Sequence, residues 1–120
     1  MPIISPWIYL AVAVAANVAT NAIIKVFAES IDPGSIGAMA WQAAKSPWLW
    51  IGMATGGLMS VSYTVAVRSL DLSIAYAVMT AASIVAIGVV AIFVFDEAMT
   101  TTKAAGLLFL AIGIGLMAKA

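Results

Sequence analysis

Four stretches, about residues 3 to 27, 48 to 67, 72 to 95 and 101 to 118, are nearly unbroken runs of apolar side chains, and together they occupy most of the 120-residue sequence. A helix rises ~1.5 Å per residue, so ~20 apolar residues cross a hydrocarbon core of ~30 Å, and each run reaches or approaches that length. Lipid offers the backbone no hydrogen-bond partner, which leaves the helix as the form each run can take. With 65% hydrophobic residues and only five basic and five acidic side chains, the chain has too little polar surface for a soluble domain. The expected fold is therefore all-α: a single integral-membrane domain spanning 1–120, built as a four-transmembrane-helix bundle. Four helices alone do not easily enclose a substrate, so a dimer is expected.

The same inventory excludes several function classes. Net charge is zero and no basic stripe is present, so nothing favours nucleic acid as a partner. There is no cysteine or histidine, and the acids fall near the ends of the runs; no metal-ligand cluster, cofactor site or nucleophile–base pair is expected, and the chain does not read as an enzyme. The first run has no Lys or Arg before it and stays apolar past Asn21 to Phe27, so it reads as a membrane span rather than a signal peptide.

Between the runs the punctuation is local. Pro2 and Pro6 sit in the opening turns of the first helix, with Trp7 and Tyr9 as interface aromatics. That helix is expected to end near Lys25. Asp32-Pro33 reads as an N-cap followed by proline at the first helical position, opening a short interfacial helix. It places Ile36, Met39, Ala40 and Ala43 on one face and Trp41 near the headgroups; Gly34 and Gly37 argue instead for an irregular loop. Pro47 opens the second run, Arg68 and Asp71 bracket a tight turn, and Asp96, Glu97 and Thr100 to Thr102 form a short last connection. With four spans, Arg68 and Lys119 share the side of the N-terminus while Lys25, Lys45 and Lys103 share the other. So small a bias allows insertion in both orientations as well as in one.

Polar groups inside apolar runs must face other helices or a wet cavity. Asn17, Thr20 and Asn21 are spaced i, i+3, i+4, and Lys25 continues the stripe; Tyr76, Thr80 and Ser83 form a second face, while Thr55, Ser62, Tyr63 and Thr64 are less regular. Such groups either line a cavity or tie helices together. Asn17, Asn21, Tyr63 and Tyr76 read as cavity groups, because two amides and two phenols exceed what packing needs. Thr20, Thr55, Thr80 and Ser83, taken singly, read as ties. The candidate substrate-binding set is Asn17, Thr20, Asn21, Lys25, Tyr63, Tyr76, Thr80 and Ser83. Gly106, Gly113 and Gly115 offer a small-residue face for a second subunit, and Gly52 and Gly56 a second such pair for packing within the chain.

WIYLAVAVAANVATNAIIK in the first run, SIAYAVMTAAS in the third and GLLFLAIG in the fourth resemble the small multidrug resistance family of the drug/metabolite transporter superfamily. FDEAMTTTKAAG and SPWLWIGMATGG are similar to its EamA-like branch. The resemblance implies a dimer, often antiparallel, in a bacterial-type inner membrane, with a site between subunits and alternating access. Tyr76 then matches the family's cavity tyrosine, Lys25 its helix-one lysine, and Gly106 and Gly113 its dimer glycines. Asn17 stands where the exporters carry a proton- and cation-binding glutamate, Met79 where they carry a cavity tryptophan, and Ala81, Ala82 and Ser83 replace a glycine-containing kink. An amide does not titrate, so exchange of a cation for protons loses its central group. Paired small subunits of the same superfamily move lipid-linked sugars such as aminoarabinose on undecaprenyl phosphate, with amides in helix one. The resemblance therefore implies movement of a lipid-linked or uncharged polar substrate rather than a cationic drug, by a homodimer or by a heterodimer with a related four-helix subunit. The alternatives are a subunit of a heterodimeric multidrug exporter and a non-transporting accessory membrane protein.

Overall fold

A computed structural model describes residues 5–120 of the chain as helices joined by short connections; Pro2 and the start expected near residue 3 lie outside the described residues. The helices are α1 (Pro6–Ser30), α2 (Ile36–Lys45), α3 (Pro47–Ala66), α4 (Leu72–Val94) and α5 (Thr101–Lys119). α1, α4 and α5 are long and apolar enough to cross a membrane. α3, where the second span is expected, is 20 residues long and is not among these three.

Caps explain where the helices start. Ser5, Ser35 and Thr100 each accept a hydrogen bond from a backbone N–H two or three residues on, at 3.3, 3.2 and 3.0 Å. Pro6 and Pro47 occupy first-turn positions where no donor is needed. The expected start of the short helix at Asp32-Pro33 is corrected: the N-cap is Ser35 and the helix opens at Ile36. Asp32 is instead clasped through its backbone, its N–H donating to Gln42 Oε1 at 2.9 Å and its carbonyl accepting from Gln42 Nε2 at 3.2 Å. Gln42 thus holds the chain before α2 against the helix itself. α1 also runs one and a half turns beyond Lys25, to Ser30.

The helices pack in the order α3, α1, α4, α5, forming a layer of 48 × 42 × 20 Å. α1 and α3 are antiparallel: a Cβ on Gly52 would lie 3.3 Å from Ile23, and one on Gly56 4.0 Å from Thr20. α4 and α5 are antiparallel too: a Cβ on Gly88 would meet Leu107 at 3.1 Å, while Ala77 and Ala81 lie by Gly113 and Met117. α1 and α4 run parallel, since Leu10 and Ala13 pack with Ala75, Val78 and Met79 at one end while Asn21 and Lys25 face Val90 and Phe95 at the other.

Among the described residues, every buried one lies at one end of this layer. In α1 these are Leu10, Ala13 and Ala16, in α3 Ser62 and Ala66, and in α4 Ala75, Val78, Met79 and Ser83; α5 has none. Small side chains let three helices converge there; beyond Ala16 and Ser83 a groove separates α4 from α1, while α3 stays against α1 through Thr20 and Ile23. The shape is accordingly open. A compact 12.4 kDa monomer exposes about 6,100 Å² and has a radius of gyration of about 14 Å, whereas this chain exposes 7670 Å² with a radius of 16.6 Å.

Candidate functional site: a polar groove between α1 and α4

Where α1 and α4 part, they enclose a groove of about 160 Å³ lined by Val18, Asn21, Ala22 and Lys25 from α1, Ile87, Val90 and Ala91 from α4, and Phe95 and Glu97 just beyond it. The 3.6-residue period makes this a property of one face. Residues 18, 21, 22 and 25 turn towards α4, while Thr20, Ile23 and Phe27 turn towards α3 and share a separate apolar groove with Trp48, Leu49, Gly52 and Met53.

α1 therefore splits its polar residues between two jobs. Thr20 Oγ1 lies 2.7 Å from Thr55 Oγ1, which in turn lies 3.0 Å from the Gly52 carbonyl. The hydroxyl–hydroxyl hydrogen bond ties α1 to α3, and Thr20 Oγ1 also lies 2.8 Å from the Ala16 carbonyl of its own helix. On the other side, Asn21 Nδ2 donates to the Asn17 carbonyl at 2.9 Å and to Asn17 Oδ1 at 3.1 Å. Asn21 is exposed and Asn17 half-buried. This pairing orients the Asn21 amide along the helix and leaves its own Oδ1 free to accept from a ligand in the groove.

The remaining candidates are not all gathered there. Lys25 is exposed at the groove's mouth. Tyr63 packs against the buried cluster at the opposite end, its hydroxyl buried without a hydrogen-bond partner. Ser83 is 2% exposed, and its Oγ is likewise unpartnered. Ser83 precedes Ile87 and Val90 by one and two turns on α4, so it continues the groove wall into the closed end. Thr80 is half-buried, and Tyr76, 59% exposed, projects from the layer. Glu97 is the groove residue that spacing did not bring forward, since it sits past the end of an apolar run. The only sequence signal for it was the Asp96-Glu97 pair directly after Phe95. Gly106 and Gly113 lie with Ala77, Ala81, Phe109, Leu110 and Met117 along a shallow apolar groove of about 540 Å³. A Cβ on Gly106, Gly113 or Gly115 would meet nothing within 4 Å. Among the described residues no cluster of His, Cys, Asp or Glu is placed to hold a metal ion.

Apolar helices of membrane-spanning length define a small multi-pass membrane protein. No family model matches the chain, and no solved structure matches it. It is, however, 32% identical over 85 residues to the probable 4-amino-4-deoxy-L-arabinose-phosphoundecaprenol flippase subunit ArnE of Pseudomonas paraeruginosa strain PA7, covering 70% of this chain and 73% of that one. The ArnE proteins of Pseudomonas aeruginosa strains LESB58 and PAO1 are 31% identical over the same share. The chain belongs to this family of small flippase subunits. It is a multi-pass protein of a bacterial inner membrane, and a transporter component rather than an enzyme.

Proposed function

We propose that the chain is a four-spanning subunit of a dimeric flippase that carries the polar headgroup of a lipid-linked sugar phosphate across the membrane, along the groove between α1 and α4. The observation that carries this reading is the shape and lining of that groove. It is closed by small side chains at the Leu10–Ala75 end, opens between diverging helices at the Lys25 end, and presents an amide and an ammonium group on one wall. A headgroup needs polar partners inside the bilayer while its hydrocarbon tail stays in lipid, and a groove open to the side provides for both. Lys25 pairs with phosphate as a point charge, and Asn21 exchanges hydrogen bonds with sugar hydroxyls. Asn17 holds Asn21 in place. The relatives are named as probable subunits of a flippase for a phosphoundecaprenol-linked aminopentose, which supports the same substrate class.

In this reading α3 is the fourth span, held to α1 by Thr20 and Thr55, and α5 meets the second subunit through Gly106, Gly113 and Gly115. The relatives are named as subunits, which favours a related four-helix partner over a second copy of this chain. The test is headgroup translocation in proteoliposomes containing the chain and its partner. Asn21→Leu is expected to abolish translocation with little loss of folded protein, and unchanged translocation would remove that amide from the pathway.

A further inference from the structure

The groove carries two opposite charges on different elements, Lys25 on α1 and Glu97 after α4. We infer that Glu97 is a specificity-determining residue that recognises a protonated primary amine on the headgroup while Lys25 takes its phosphate, so that the groove is matched to a zwitterion. This deepens the flippase reading above and rests on it.

Glu97 reaches the groove because of the turn that precedes it. Asp96 adopts φ 54°, the left-handed region that a short polar side chain tolerates better than most. The turn folds the chain back so that the Glu97 N–H donates to the Ala91 carbonyl at 3.1 Å, alongside the ordinary helical bond from the Phe95 N–H at 3.2 Å. Ala91 is itself a groove residue, so the carboxylate is returned over the groove wall instead of leaving with the chain.

The charges in reach of Glu97 leave it available. Lys103 Nζ stands 3.9 Å from Glu97 Oε1, the outer limit of an ion pair, and spends a 3.0 Å hydrogen bond on the Ala98 carbonyl. Both side chains are well exposed, so the pair is weak. Among the described residues Lys25 makes no ion pair, and Glu97 has only the weak, exposed one to Lys103. A phosphate headgroup without an amine brings a negative charge towards an unmatched carboxylate. One with an amine satisfies both ends, and the difference between the two is what selects.

The experiment is binding to the purified full chain in nanodiscs, read by native mass spectrometry, at pH 7. Three probes are used: undecaprenyl phosphate bearing a 4-aminopentose, the same lipid with its amine formylated, and undecaprenyl phosphate alone. The wild type is expected to prefer the free amine by roughly 10-fold or more, the scale of one hydrogen bond to a charged group. Glu97→Gln, an isosteric change at an exposed position, is expected to bring the ratio to about one while phosphate-lipid binding persists. Lys103→Gln should leave the preference intact, which separates amine recognition from a merely structural Glu97–Lys103 contact. A wild type that binds amine and formamide equally, or a Glu97→Gln variant that keeps the preference, overturns the inference and leaves the flippase reading standing. Failure of the wild type to bind any of the three lipids overturns both.

Discussion

The two threonines that join α1 to α3 and the two asparagines that face α4 make opposite predictions, although all four are polar residues inside apolar helices. Thr20→Val and Thr55→Val keep shape and remove one hydroxyl each. Each hydroxyl also lies near a carbonyl of its own helix, Thr20 2.8 Å from Ala16 and Thr55 3.0 Å from Gly52, so either single change disturbs more than the bond between them. A double-mutant cycle isolates the 2.7 Å hydroxyl–hydroxyl contact. Hydrogen bonds between membrane helices average about 0.6 kcal/mol and reach about 1.7, so the coupling should change the unfolding equilibrium by roughly 3- to 17-fold. The assay is reversible unfolding in mixed micelles, with headgroup translocation measured on the same variants. Thr20→Val is expected to lose stability and keep its translocation per folded molecule. Asn21→Leu is expected to do the reverse, because its donor bonds stay within α1 and no other helix depends on them. Equal loss of stability in Asn21→Leu and Thr20→Val would show that the asparagines are ties as well, and the two-face division of α1 would fall.

Gly113→Leu places a side chain where a Cβ meets nothing in the chain, so the subunit should fold while the assembly dissociates to monomers in detergent; an intact dimer would put the contact elsewhere. Gly88→Leu contrasts with it, since its Cβ begins 3.1 Å from Leu107: it should push α5 from α4 and lower thermal stability in the monomer itself. Asp96→Val puts a β-branched residue at φ 54° and should cost about 1–2 kcal/mol of stability, whereas Asp96→Gly should cost none; equal stability of the two would deny that the turn is strained.

The helical architecture was largely legible in the sequence because apolar run length is a direct physical constraint. Pro47, the Val67–Asp71 turn and the short α2 all follow from local chemistry. The start of α2 was misplaced because Asp32-Pro33 and Ser35 are both good caps, and the choice fell to a contact ten residues away, the Gln42 clasp. The polar stripe on α1 was visible as a stripe, but periodicity does not say which neighbour each side faces. Thr20 and Asn21 are adjacent in sequence and point to different helices. Glu97 escaped notice for a related reason. An acid beyond a span reads as solvated until a left-handed residue turns it back, and no propensity of Asp96 alone foretells that.

The central claim is that a polar headgroup travels along the α1–α4 groove, and the most direct measurement is leaflet exchange of a phosphoundecaprenol-linked aminopentose in proteoliposomes holding this chain with its partner subunit. Appearance of the headgroup on the far leaflet, lost in Asn21→Leu and in Lys25→Gln, is the result this account predicts. Transport of a quaternary ammonium ion by the same vesicles, with no exchange of the lipid, would contradict it.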